Sequence, residues 1–417
     1  MTDHTALRIA GDRLWSTLTE TAQFGAIPGT PRGMCRLTLS EADVAVRRWL
    51  IDAATAIGMT VTIDKLGTIH ARRPGSEPGL APIAIGSHLD TQPTGGRFDG
   101  ILGVLAGLEV VRTLHDAGIT TRHPIEVINW TNEEGARFAP AMVASGVFAG
   151  EFTLDYALAQ TDRDGITLAA ALDQAGFAGA AEPGAHALAA HFELHIEQGP
   201  VLEAEGIEIG VVNGVQGIRW YDVVVKGQTC HAGTTPMALR RDALQAAARL
   251  AVAVDHIGRS DPGRSLSTIG LFQAYPGSRN TAPGEVRLTV DLRHPEVAGL
   301  DLMEVTLRDR MAEVERETGC TIALNPVWYS PPVRFDPGVI DAIAGATQRL
   351  GYTHRTMPSG AGHDSVYTAR VAPTGMIFIP CENGISHNIA ENVTPAQATQ
   401  GANVLLQAVL DYDRRTA

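Results

Sequence analysis

The pattern of apolar and polar positions changes character along the chain. In the first third, short unbroken apolar runs alternate with longer stretches of helical period. Residues 81–87 and 125–130 read as buried strands. Between them Ile101, Val104, Leu105, Leu108 and Val111 recur at helical spacing, and Gly118 supplies a stop. Residues 192–196 and 376–379 read as two more buried strands. Strands alternating with long helices predict an α/β domain with a mainly parallel sheet. Residues 169–190, rich in Ala and Gly, read as a helical excursion over the surface.

Residues 214–330 follow a different pattern. Residues 221–225 are strand-like, a helix is expected over 237–257 after a Thr-Thr-Pro turn, and 265–272 reads as a strand. Val286, Leu288, Val290 and Leu292 alternate with Arg287, Thr289 and Asp291, the period of a half-exposed strand. A helix over 300–318 and a strand over 321–328 complete a β-α-β-β-α-β order. The expectation is an α+β domain (214–330) inserted into an α/β domain formed by 1–213 and 331–417.

Composition narrows the function classes. A chain of 417 residues suits two or three domains. With 44% hydrophobic and 19% charged residues, it is not a disordered protein. Lys and Arg number 33 against 46 Asp and Glu, a net charge of −13, so nucleic acid is not an expected partner. No run approaches the ~18 apolar residues of a membrane span. Residues 1–20 mix charges through their apolar positions and do not read as a signal peptide. Cys35, Cys230, Cys320 and Cys381 form no CxxC pair and read as reduced thiols, which points to the cytoplasm.

Four segments place His or carboxylate groups where predicted strands end, the usual position of ligand and catalytic groups in α/β sheets. They are GSHLDTQPTGGRFDG (His88, Asp90, Asp99), NWTNEEGARF (Glu133, Glu134), FELHIEQGP (His195, Glu197, Gln198) and GISHNIAEN (His387, Glu391). Each alone is an ordinary loop; four in one chain are not a common coincidence. Imidazole and carboxylate suit zinc-like metals. Two such ions ~4 Å apart share a carboxylate. Asp99, in a Gly-flanked turn, suits the shared role, leaving His88, Glu134, His195 and His387 as terminal ligands. Asp90, two residues after His88, is expected to orient that imidazole. Glu133 is available as general base. The chain has no GxSxG elbow and no GxGxxG after a strand, which argues against a serine hydrolase or a dinucleotide enzyme.

These segments, with CHAGTTPM, RRDAL and GAGHDS, resemble the M20 family of dinuclear zinc amidohydrolases, and within it the hydantoinase/carbamoylase branch. That branch contains N-carbamoyl-L-amino acid hydrolases, β-ureidopropionases and allantoate amidohydrolases. The similarity spans nearly the whole chain. It implies two divalent metals, zinc first, with Mn, Co or Ni suited to the same ligands. Asp99 bridges, His88 and His195 complete one site, and Glu134 and His387 the other. Glu133 is implied as general base, with exchange of roles between Glu133 and Glu134 left open. The inserted domain is implied to be a lid and a homodimer interface. There His231 matches an oxyanion-stabilising position, and Asn280 and Arg293 match positions that bind a small carboxylate substrate. Gln198, Gln216, Gly362 and His363 are secondary pocket candidates, and His363–Asp364 equally suits a structural hydrogen-bonded pair. The implied reaction is hydrolysis of the ureido group of an N-carbamoyl-L-amino acid. Allantoate amidohydrolase, β-ureidopropionase and a non-catalytic metal-binding scaffold are the alternatives.

Overall fold

The computed structural model describes residues 4–415, so the first three residues of the N-terminal stretch lie outside the described residues. The chain packs as two units, Met1–Gly214 with Arg334–Ala417, and Val215–Val333. The first unit is built on β1 (Thr60–Ile63), β2 (Ile69–Arg73), β3 (Ile83–His88), β4 (Ile125–Trp130), β5 (Ala190–Ile196) and β6 (Ile209–Val215). The second carries β7 (Gly217–Lys226), β8 (Cys230–His231), β9 (Leu266–Thr268), β10 (Phe272–Tyr275), β11 (Thr281–Ala282), β12 (Glu285–His294) and β13 (Thr321–Ser330). The chain then returns to the first sheet through β14 (Val333–Arg334), β15 (His354–Ser359) and β16 (Thr374–Ile379).

The first sheet runs β1-β2-β4-β3-β5-β16-β6-β14, with β15 also on β6. Its centre, β4-β3-β5-β16, is parallel throughout. The pairs β1–β2, β2–β4 and β16–β6 at its margins are antiparallel. Every residue of the four central strands is buried. That requires cover on both faces, and it is why these strands read as continuous apolar runs rather than alternating ones. Because the four strands are parallel, their carboxyl ends share one edge of the sheet. His88 closes β3, Glu133 and Glu134 follow β4, His195 is the penultimate residue of β5, and His387 lies in the loop beyond β16.

The second unit has its own core, including Val223, Val225, Leu250, Val286, Leu288 and Leu307. Its sheet runs β10-β12-β7-β13, with β9 also on β12, and every pair is antiparallel. The alternation read from Val286 to Leu292 is the burial alternation of β12.

Three expectations need correction. The strand expected over 265–272 is two strands, β9 and β10. The chain breaks around Gly270, where the Thr289 hydroxyl accepts the Leu271 N–H at 3.1 Å. The helix expected from 237 is a 3₁₀ turn, Met237–Leu239, followed by a helix over Ala243–Gly258. Asp242 sets that start by accepting the N–H groups of Leu244 and Gln245, which have no partner inside the helix. Finally, 169–190 is not a surface helix. A short helix, Leu168–Ala175, buries Leu168, Ala171 and Leu172 in the core and ends at Gly176 in the left-handed region. The remainder runs as loop, and Ala181 forms a bridge to Asp64.

Candidate active site

At the carboxyl edge of the central strands imidazoles and carboxylates converge, all buried or half-buried except His387, which is exposed. His88 and His195 are held alike. Each Nδ1 faces a main-chain carbonyl, Asp90 O at 3.0 Å and Ile196 O at 2.9 Å. Nδ1 therefore carries a hydrogen, and each Nε2 turns inward. Asp99 lies between segments. Its Oδ1 is 3.1 Å from His195 Nε2 and its Oδ2 is 3.3 Å from His387 Nε2. The turn after Asp99 packs on the His88 ring so closely that a Cβ at Gly100 (φ +69°) would lie 2.3 Å from it. Only glycine permits that approach. Glu134 is fixed by Gln92, whose main-chain N–H and side-chain amide donate to its two oxygens at 3.0 and 2.8 Å. Its Oε2 is also 3.3 Å from His387 Nε2.

Ligand atoms of His88, Asp99 and His195 lie within 4.8 Å of one another, as do those of Asp99, Glu134 and His387. Asp99 belongs to both groups. Glu133 belongs to neither, with its Oε2 3.4 Å from His88 Nε2. Among the described residues, the ionic partners of Asp99 and Glu134 are imidazoles. Asp99 Oδ1 and His195 Nε2 are buried and face each other, yet neither makes a hydrogen bond within the described residues. A buried carboxylate oxygen and an imidazole nitrogen left this way suit a shared cation.

The electrostatics express the same crowding. Burial, and then the charges of Asp364, Glu134, Asp90 and Asp99, push the Glu133 carboxyl well above its usual range. Burial and the Asp99 charge push Glu134 up to about 8. Burial lowers His88 to about 4. For His195 burial opposes protonation, but the Asp99 contact prevails and lifts it to about 9. Asp99 likewise lifts His387 to about 9. Three carboxylates packed this tightly call for positive charge.

Asp90 orients His88 differently from the expectation. The imidazole bonds to its main-chain oxygen, while the nearest carboxylate oxygen is 3.8 Å away. The carboxylate instead accepts from Thr38 Oγ1 at 2.9 Å and from the N–H groups of Glu133 and Glu134 at 3.3 Å. Asp90 thus sets the glutamate pair. Sequence reasoning left Glu391, Gln92 and Glu193 without roles. Glu391 accepts the N–H groups of Phe98 and Asp99, tying the Asp99 turn to the His387 loop. A Cβ at Gly96 would lie 2.3 Å from Glu391. Glu193, beneath His195, accepts from Ser87 at 3.0 Å and Ser365 at 2.6 Å. All three sit inside motifs already singled out, Glu193 as the acid two residues before His195 in FELHIEQGP.

Of the secondary candidates, Gln198 donates to Asp99 Oδ2 at 3.1 Å from a left-handed backbone position. His363 and Asp364 do not pair with each other. His363 Nε2 is 2.9 Å from the Ser359 hydroxyl, and Asp364 accepts from Ser145. The His363 ring lies 4.5 Å from that of His195. Gly362 faces Met142, and Gln216 is buried.

Within the second unit, His231 and Asn280 are brought together. β8 pairs with β11 so that Thr281 opposes His231, and the Ala232 N–H donates to Asn280 O at 2.8 Å. His231 Nδ1 accepts the N–H groups of Gly233 and Thr234 at 3.0 and 3.2 Å, so Nε2 carries the hydrogen. Arg293 lies on β12 and pairs with Asp291 at 2.8 Å.

Comparison with known proteins adds the lineage. The model of peptidase family M20/M25/M40 matches residues 84–411. An N-carbamoyl-L-amino-acid amidohydrolase of Rhizobium meliloti is 46% identical over 404 residues, covering 97% of each chain. A ureidoglycolate hydrolase of Oryza sativa subsp. japonica is 34% identical, covering 96% of this chain and 84% of its own. The crystal structure of a hydantoinase/carbamoylase family amidase from Burkholderia multivorans superposes with a TM-score of 0.95 at 51% identity, covering 98% of both chains. The four strand-end motifs, the fold and these relatives agree, and the chain belongs to the M20/M25/M40 peptidase family of hydrolases.

Proposed function

We propose that this chain is an N-carbamoyl-L-amino acid amidohydrolase, converting its substrate and water to the amino acid, ammonia and carbon dioxide. The observation that carries the chemistry is the sharing of Asp99 between two ligand groups, one fully buried and the other opening to the surface at His387. The substrate is inferred from the 46% identical relative. Two divalent metals, zinc first, would be held by His88, Asp99 and His195, and by Asp99, Glu134 and His387. Metals in such ligand sets supply Lewis acidity and make water reactive near neutral pH.

The chain's own groups then divide the work. Glu133, outside both ligand groups, takes the proton of the attacking water and delivers it to the leaving nitrogen. Asp90 and Gln92 hold the glutamate pair in position. His231, with its hydrogen on Nε2, donates to the oxyanion. Arg293 pairs with the substrate carboxylate, assisted by Asn280. These last three assignments rest on the motifs that carry them, as do Gln198, Gln216, Gly362 and His363 as further pocket residues. We also read the protein as a cytoplasmic homodimer formed through the second unit. Four free thiols suit a reducing compartment. Among the described residues no helix is long and apolar enough to cross a membrane.

Ammonia release from N-carbamoyl-L- and D-amino acids, N-carbamoyl-β-alanine, allantoate and ureidoglycolate tests the reading. The N-carbamoyl-L-amino acids should have the highest kcat/KM. Preference for allantoate or ureidoglycolate would favour the second reading, for which the rice relative speaks. Preference for N-carbamoyl-β-alanine would favour a β-ureidopropionase. No release from any of them would favour the scaffold.

A further inference from the structure

A second cluster of ligand-type side chains lies in the first unit and shares no residue with the Asp99 groups. His70 stands on β2 and Glu126 on the neighbouring β4. The register pairs His70 with Ile128 and Arg72 with Glu126, so His70 and Glu126 are diagonal neighbours on one face. His186 arrives from the loop after Gly176. That loop is stitched to the end of β1: Lys65 N–H donates to Ala181 O at 2.9 Å, and Gly179 N–H to Asp64 O at 3.0 Å. The His186 ring ends 5.3 Å from that of His70.

The three side chains meet at one atom. Glu126 Oε1 is 2.9 Å from His70 Nδ1 and 2.9 Å from His186 Nε2. Ligands around a tetrahedral zinc at ~2.05 Å stand about 3.3 Å apart, and here both nitrogens are 2.9 Å from the carboxylate oxygen and all three atoms lie within 4.8 Å of one another. The outer partners also suit a metal. His70 Nε2 faces Asp64 Oδ2 at 3.8 Å, and Asp64 is locked by the N–H groups of Leu66 and Thr68 at 2.8 and 2.9 Å. The second oxygen of Glu126 accepts from Arg72 Nε at 2.6 Å. A donor behind the carboxylate orients a metal ligand, while Asp64 at 3.8 Å stands beyond hydrogen-bond distance and adds only a negative charge near the imidazole. His70 and Glu126 are buried, while His186 is half-buried. The cluster lines a cavity of about 280 Å³, which leaves room for water at a fourth position. Trp130 and Phe148 pack against the His70 ring.

We propose that His70, Glu126 and His186 bind one divalent cation of the zinc class, separately from the Asp99 groups, with Arg72 as a supporting partner and the Asp64 charge nearby. Full-length protein is stripped with chelator and dialysed against micromolar free Zn²⁺, alongside His186→Ala and His186→Cys. The wild type should hold one Zn²⁺ per chain more than His186→Ala, and His186→Cys, which restores a ligand, should recover it. The difference does not depend on the Asp99 groups, which all three proteins share. Equal zinc content in wild type and His186→Ala, or a difference seen only at millimolar zinc, overturns the site and leaves a hydrogen-bonded ion network. Should His186→Ala fail to fold, anomalous scattering at the zinc edge on wild-type crystals decides. A peak between His70 Nδ1, Glu126 Oε1 and His186 Nε2 supports the proposal, and its absence overturns it.

Discussion

At the scale of single residues, the glutamate pair shows how neighbours of one type take different work. Glu134 is pinned by Gln92 and faces His387, whereas Glu133 faces the His88 ring outside both ligand groups. If Glu133 is the base, Glu133→Gln keeps the metal content and loses about 10²–10⁴-fold in kcat. Metal analysis and turnover on one sample check this; a wild-type rate removes Glu133 from the role. The residues that converge on Asp99 were legible in the sequence, because four segments carrying His or carboxylate groups at strand ends in one chain are not a common coincidence. The residues that hold them were not. Whether Asp90 uses its carboxylate or its main-chain oxygen depends on a turn of the backbone that side-chain spacing does not encode. Glu391 and Gln92 act on neighbouring segments, and only the folded chain brings those segments together.

At the scale of elements, the parallel centre of the first sheet was readable, since a strand buried on both faces must be apolar throughout. The breaks were harder. The start of the helix at Ala243 depends on one capping carboxylate, Asp242, and the gap between β9 and β10 on Gly270 and one hydroxyl, Thr289. Burial also costs something inside a central strand. His191, on β5, is fully buried and its imidazole is lowered to about 3 by desolvation. Its Nε2 has no hydrogen-bond partner among the described residues. The unfolded chain binds a proton there below about pH 6.5, and the folded chain does not. Stability is therefore fully present above that pH and falls as pH drops toward 3, by up to about 1.4 kcal/mol per pH unit. Urea unfolding of wild type and His191→Leu between pH 7 and 4 checks the sign. The variant should lose one proton's worth of slope, and parallel curves would contradict the assignment.

At the scale of the whole molecule, a net charge of −13 does not favour an anionic substrate. The proposed metals would supply positive charge at the Asp99 groups, and the global sign then serves solubility. The division of the chain is also a division of labour in this account. One unit holds the ligand groups and the base, and the other carries the residues assigned to the oxyanion and the carboxylate. The central claim is that the two Asp99 groups hold the metals on which hydrolysis depends. It is tested most directly by following metal content and ammonia release together while chelator is added and Zn²⁺ returned, using the His186→Ala variant so that the second cluster does not enter the count. The account predicts that turnover of an N-carbamoyl-L-amino acid disappears with the metal and returns as two ions per chain are restored. Full turnover in metal-free protein would contradict it.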